Sequence, residues 1–336
     1  MVLTERKDLA LLLESGRLKK IRAWRQSMVI KLLEEGKSAR EVSLAISRFN
    51  EALAIEVCNY FARRFPWLKK CVFLEFGSGG RGEQVLGSDQ DNGLVLPKEK
   101  LDEAQLEEVC QRIVLTLDGA GLPLCPGKVM ISEEKWRGTL EEWKRKILFW
   151  LENPKERGPW QSGLILDFKP LYGEKEKIFQ LRTEVLETIR KHPVIWRLLV
   201  EEILQFRVPL SFWGNFILEK KGEERGINLK KSILAHLINA TRLLSLKYGF
   251  VKAHTLERLS FLIQKGHVEE KMGKELQNLW EWAQAKRLRQ ALEQKGEINF
   301  LNPHLLPKEE KKLLKKRLNY LQKFVDLVSL SANYGL

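Results

Sequence analysis

The sequence predicts an α+β protein in which helices lead into a small sheet block and a helical bundle follows it. Three observations carry that reading. Apolar residues recur at three- and four-residue steps up to Pro66. From Trp67 to Gly173 the chain switches to short apolar runs broken by Gly and Pro. After Glu174 the helical period returns and stays. Runs of four to eight apolar residues bounded by turn residues read as strands, and longer 3.6-period patterns read as helices.

The first 66 residues read as helix. One helix spans about Leu18 to Glu35 and stops at Gly36. Ser38-Ala39-Arg40-Glu41 then spells a capping box, in which a hydroxyl and a carboxylate satisfy the free N–H groups of a helix start. Behind it Val42, Ala45, Ile46, Phe49, Leu53, Val57, Tyr60 and Phe61 form one apolar face, closed by Pro66. Cys71 to Phe76 and Asn92 to Leu96 read as two strands with a glycine cluster between them. A helix is expected over about Leu101–Leu117, then a Gly/Pro-rich loop from Gly119 to Gly127. Thr139-Leu140-Glu141-Glu142 is a second capping box, opening a helix to Glu152 whose Leu140, Trp143, Ile147, Trp150 and Leu151 face a core. Gly163 to Lys169 is the last expected strand, with Pro170 to Gly173 as the turn that ends it.

Helices are then expected near 175–191, 194–206, 230–248, 255–265, up to 291, and 308–330. The domain division is 1–66 for the leading helices, 67–173 for the sheet block and 174–336 for an all-helical bundle.

Composition narrows the function classes. The 336 residues are 44% hydrophobic and 30% charged, an ordinary globular balance. No stretch approaches the ~20 apolar residues that a membrane helix needs, and Leu9 to Leu13 lacks the features of a secretory leader. The cytoplasm is therefore the expected compartment. A net charge of +14 favours anionic partners such as nucleotides or nucleic acid. Cys58, Cys71, Cys110 and Cys125 contain no C-x-x-C pair, so zinc-site spacing and a disulfide framework are both set aside in favour of buried, reduced thiols.

The chemistry concentrates between Gly77 and Asn92. Gly77, Gly79 and Gly82 spell G-x-G-x-x-G after a strand, but only six residues separate Gly82 from Asp89. That is too short for the helical crossover of a dinucleotide-binding unit. A Walker loop is excluded because no G-K-[ST] follows. The alternative is metal–nucleotide chemistry. Asp89 and Asp91 stand two apart, which on extended backbone turns both carboxylates to one face. Paired hard oxygens suit Mg²⁺ bridging to phosphates. The glycine turn upstream offers backbone N–H groups, Ser78 a hydroxyl and Arg81 a fixed positive fork.

Gly77-Ser78, Arg81, Glu83-Gln84 and Ser88-Asp89-Gln90-Asp91-Asn92 together resemble the signature of the DNA-polymerase-beta-like nucleotidyltransferases. The nearest resemblance is to the branch related to PII uridylyltransferase and glutamine synthetase adenylyltransferase, often fused to cyclic-nucleotide-binding or CBS domains. It continues through Cys125-Pro126-Gly127, Trp136, Trp143, Asp167-Phe168 and Pro170 to Gly173, and into the helical part at Lys230, Arg242 and Thr255. The resemblance implies a small mixed sheet of nucleotidyltransferase type and a C-terminal substrate-binding bundle. It implies two Mg²⁺ ions, or Mn²⁺, on Asp89, Asp91 and Asp167 as catalytic and metal residues. It implies nucleotide or phosphate contacts from Gly77, Ser78, Arg81, Ser88 and Lys230.

The implied reaction moves a nucleoside monophosphate from a nucleoside triphosphate to an acceptor hydroxyl, on a protein of the PII kind, in signal transduction. Nucleic acid ranks second, as an RNA-end nucleotidyltransferase, because no basic stripe with interleaved aromatics is visible in the sequence. A nucleotide-sensing module without turnover is the third reading. Three departures from the resembled pattern stand out: Lys169 in place of Arg, Gly93 in place of a small alanine, expected to be harmless, and Asn228 in place of Asp.

Overall fold

The computed structural model of the chain describes residues 3–152, 166–204, 207–221, 224–293 and 298–333. These fall into two compact units: residues up to 152 with 166–185, and residues from 186 onward.

The first unit begins with three helices, α1 (Leu3–Glu14), α2 (Leu18–Glu34) and α3 (Ala39–Arg64). The capping box forms as the sequence dictates: the Ser38 hydroxyl accepts from the Glu41 amide and the Glu41 carboxylate accepts from the Ser38 amide at 2.9 Å. The α3 face bearing Val42, Ile46, Leu53 and Val57 is fully buried. Next come β1 (Val72–Glu75), the short helix α4 (Gly77–Arg81), β2 (Asn92–Leu96), α5 (Glu103–Gly119), β3 (Arg137–Thr139), α6 (Leu140–Glu152) and β4 (Lys169–Tyr172). The strands form one mixed sheet in the order β3-β2-β1-β4. β1 is antiparallel to both β2 and β4, while β2 and β3 are parallel. An antiparallel β1–β2 pair is incompatible with a dinucleotide-binding crossover.

The second capping box also forms, with Glu142 accepting from the Thr139 amide at 2.7 Å. It starts α6, whose Trp143, Ile147, Trp150 and Leu151 are buried, whereas Leu140 is half-exposed. Phe76, Trp136, Trp143 and Trp150 form one aromatic cluster, Phe76 against Trp136 and Trp143 and Trp150 behind those two, with ring centroids 5.3–6.4 Å apart. Such buried rings each contribute roughly 1.5–3 kcal/mol through burial. The Trp143 indole N–H donates to the Leu94 carbonyl at 3.0 Å. Gly93 turns out to matter here: a Cβ at this position would lie 2.8 Å from both the Phe76 and the Trp143 rings. The glycine and the aromatic cluster are one packing solution.

Two strand expectations are corrected. The segment 163–165 of the expected last strand lies outside the described residues, and Leu166 and Asp167 are not strand. The strand is instead Lys169–Tyr172, keeping Lys169 but running through Pro170 to Tyr172 where a turn was expected, and Gly173 at φ +84° ends it. Pro170 sits in that strand without cost because β4 is an edge, where one row of amides needs no partner.

The second unit is mostly helical. The division between units falls within α7 (Glu176–Lys191). Beyond it lie α8 (Pro193–Leu204), β5 (Glu219–Lys221), β6 (Glu224–Asn228), a π-helical turn (Leu229–Leu234), α9 (Ala235–Lys247), α10 (Thr255–Gln264), α11 (Glu270–Glu293), β7 (Phe300–Leu301) and α12 (Lys308–Asn333). α12 packs on α8, α9 and α11, burying Leu314, Leu318, Leu321, Phe324 and Val328. The expected all-helical bundle needs one addition, a three-stranded sheet in the order β5-β6-β7. Among the described residues, no helix is long and apolar enough to cross a membrane. All four cysteines are free and buried.

Candidate active site

The segment from Asp89 to Asn92 runs extended into β2 and divides its side chains cleanly. Gln90 and Asn92 point inward and are buried, while Asp89 and Asp91 are half-exposed on the other face. The inward amides fasten the segment. The Gln90 side chain donates to the carbonyls of Val114 (3.1 Å) and Leu122 (3.0 Å) and accepts from Asn92 (3.0 Å). The Asn92 side-chain oxygen accepts from the Ile131 amide at 2.8 Å. The backbone is held from both sides: Gln90 and Asn92 donate to Pro123 and Val129, and the Asp91 carbonyl accepts from Phe76. Buried amides satisfied in this way rigidify what they hold.

Asp89 and Asp91 thereby meet a third donor. Ligand atoms of Asp89, Asp91 and Cys125 all lie within 4.8 Å of one another. Burial pushes the Cys125 thiol up to about 12, and the neighbouring Asp91 and Asp89 carboxylates add to that shift. Cys125 was read from the sequence only as a buried thiol. Its approach to the pair depends on the 119–131 loop that Gln90 and Asn92 anchor.

The glycine turn is shaped by close approaches. Gly77 takes φ +56°, and Gly77, Gly79 and Gly80 are buried while Ser78 is half-exposed. A Cβ at Gly80 would overlap the Asp167 carbonyl oxygen. Helix α4 is thus pressed onto the segment carrying Asp167, which only a glycine permits. The Ser88 hydroxyl is engaged inside the loop, accepting from the Val85 amide at 2.9 Å.

Arg81 lies beneath the turn. It donates to Glu83 at 2.8 Å and to Asp167 at 3.1 Å. Asp167 is wholly buried and Glu83 nearly so. Burial works against the Arg81 charge, but the two carboxylates outweigh it and hold the guanidinium above its usual range. Asp167 is placed in the turn before β4, paired with Arg81, and the Asp89–Asp91–Cys125 donor group found among the described residues does not include it. The Asp167 charge also reaches Arg182, which burial holds below its usual value.

A second charge cluster sits at the end of β1. Lys169 bridges Glu51 of α3 (2.6 Å) and Glu75 (3.4 Å). Burial pushes Glu75 up to about 7; Lys169 opposes this, and Glu51 and Asp91 reinforce it. Lys169, read as a departure, therefore has a definite place as the cation between two carboxylates. Lys230 belongs to the second unit, in the π-helical turn. Asn228 caps that turn, its side chain accepting from the Lys231 amide at 2.9 Å.

Two family models match the chain in succession: "Putative nucleotidyltransferase DUF294" over residues 24–157 and "Putative nucleotidyltransferase substrate binding domain" over residues 193–332. The chain belongs to this nucleotidyltransferase family. The first match starts within α2 and ends before β4, so the matched region takes in part of α2, α3 and strands β1 to β3. No curated protein matches the chain.

A divalent metal accompanies this family's chemistry, and the donor set fits one. Two half-exposed carboxylates lie within 4.8 Å of each other, on a segment whose Asp91 carbonyl is bonded to Phe76 at the head of the glycine turn. Hard oxygens of this kind suit Mg²⁺ or Mn²⁺. A neutral thiol beside them is a weak ligand for either.

Proposed function

We propose that the chain transfers a nucleoside monophosphate from a nucleoside triphosphate to an acceptor hydroxyl, releasing pyrophosphate. The observation that supports this most directly is the fixed pair Asp89 and Asp91, turned outward by the inward lock of Gln90 and Asn92. In this reading Asp89 and Asp91 hold Mg²⁺. Bound there, the ion supplies charge neutralisation on the triphosphate and polarises the reacting phosphoryl group. Gly77 and the Ser78 hydroxyl take the phosphates, with backbone N–H groups of the turn as donors. Arg81 and Asp167 act together beneath the turn: their ion pair holds α4 against the Asp167 segment, so both are positioning residues. Ser88 positions the loop that delivers Asp89. Lys230 contacts the nucleotide or the acceptor from the substrate-binding region.

The bond that forms joins the acceptor oxygen to the α-phosphorus, and the bond that breaks is the α–β bridge. A protein hydroxyl is the first acceptor, on the resemblance to enzymes that modify PII and glutamine synthetase. An RNA end is the second. Incubation of the full chain with each labelled triphosphate, Mg²⁺ and candidate protein or RNA acceptors tests this. Label should appear on an acceptor with the native chain and fall to the no-enzyme level in Asp89→Asn/Asp91→Asn. Equal labelling by that variant would refute the site.

A further inference from the structure

The second unit exposes an aromatic pair that nothing among the described residues covers. Phe212 is 96% exposed and Trp213 85% exposed. They occupy the tip of a tight hairpin in which Leu210 pairs with Phe216. The tip is stiffened from within: Ser211 donates to the Asn215 carbonyl at 2.8 Å, Gly214 to Ser211 at 2.9 Å, and the Asn215 amide to the Ser211 hydroxyl at 3.0 Å. The two rings stand at 85° with centroids 5.6 Å apart. Large rings held rigidly in water mark a binding surface rather than packing.

The base of the hairpin lies against the start of α12. Lys315 sits 5.2 Å from the Phe216 ring centroid, and Phe216 meets His304 edge-on at 6.4 Å. Lys308, Lys312 and Lys315 recur at four- and three-residue steps on one face of α12. Lys308 and Lys312 are exposed. Glu309 is the nearest acid in sequence, and Glu310 is taken by Lys286 at 2.7 Å. The charge is regional: residues 186–336 hold 27 Lys and Arg against 16 Asp and Glu, a net +11 of the chain's +14.

We infer that the Phe212–Trp213 hairpin tip and the lysine face of α12 form a docking surface for single-stranded nucleic acid. Unpaired bases stack on exposed aromatic rings whatever their sequence, and the lysine face of α12, which meets the hairpin base through Lys315 and Phe216, supplies charge for the phosphates. A duplex keeps its bases stacked away from such a wedge. A protein surface fits less well, because the cores of protein interfaces favour aromatics but are depleted in lysine. The inference goes beyond the transfer reaction and stands on different residues in the other unit.

Anisotropy of fluorescein-labelled 12-nucleotide oligouridylate and oligoadenylate tests it on the full chain, in EDTA and without triphosphate, so that the outcome is independent of the transfer site. Both strands should bind, and a 12-base-pair duplex should bind more weakly. Phe212→Ala/Trp213→Ala should weaken binding at least about tenfold, while Trp213→Phe keeps it within about threefold. Lys308→Gln/Lys312→Gln/Lys315→Gln should flatten the slope of log affinity against log salt by about 2, from ~0.7 per lost phosphate contact. Circular dichroism confirms that the variants are folded. Absence of binding, or equal binding by the double alanine variant, overturns the inference. So does polyglutamate that binds as tightly and with the same dependence on Phe212 and Trp213, which would assign the surface to an acidic polypeptide.

Discussion

Replacing Glu75 by Gln isolates the electrostatics of the sheet end. In the folded chain burial raises this carboxyl from 4.5 to about 7, despite Lys169 at 3.4 Å. The folded state therefore binds the Glu75 proton more tightly than the unfolded state does. Its stabilising contribution is complete below pH 4.5 and is lost as pH rises through 7. A shift of roughly 2.5 units corresponds to about 3 kcal/mol at 1.36 kcal/mol per unit. Gln cannot ionise, so the variant lacks this loss. Lys169 keeps Glu51 at 2.6 Å, so the substitution leaves that cation paired. Urea unfolding of both proteins at pH 5, 6, 7 and 8 gives the test. The stability of Glu75→Gln minus that of the native chain should rise by about 2–3 kcal/mol from pH 5 to pH 8, the rest of the change falling below pH 5. Parallel pH profiles would show that the carboxyl is not held protonated, and the account of the β1 end would fail.

Further outcomes follow from the same geometry. Arg81→Met removes the guanidinium that buried Glu83 and Asp167 share and should cost about 3–5 kcal/mol in urea unfolding. Gly80→Ala forces a methyl group onto the Asp167 carbonyl, which should lower stability by about 1–3 kcal/mol and abolish transfer with Asp89 and Asp91 intact. Gln90→Ala strips the Val114 and Leu122 carbonyls of their donor; about 2 kcal/mol of stability should go, and Mn²⁺ binding followed by electron paramagnetic resonance should weaken.

What was legible in the sequence was local. Both capping boxes need only four consecutive residues, and β2 falls where Asn92 to Leu96 was expected. The D-x-D alternation is a property of extended backbone, so the outward turn of Asp89 and Asp91 followed from spacing alone. Trp143 and Trp150 share the buried face of α6 because seven residues make about two helical turns, while Trp136 joins them from the 3-10 turn before β3. Pairings across long stretches were not legible. Arg81 and Asp167 are 86 residues apart, and nothing near either one names the other. β5 and β6 read Glu-Lys-Lys and Glu-Arg-Gly-Ile-Asn, with no apolar alternation to announce a strand. A basic stripe with interleaved aromatics was absent from the linear chain because Phe216 and Lys315 meet only in the fold.

The first unit has a further property that bears on how the chain can be divided. Buried Arg25 of α2 donates to Asn50 of α3 at 2.8 Å and also reaches the Gly121 carbonyl, and Asn50 donates to Gln84 at 3.0 Å. Ser47 accepts from the Gln84 amide at 3.1 Å. These bonds run from the leading helices straight into the loops on either side of the acidic pair. A fragment cut at residue 66 would lose the polar partners of Gln84 and Gly121 together with the apolar cover of α3. The smallest piece worth expressing begins ahead of Ile21, and the sheet is no portable module to be grafted elsewhere.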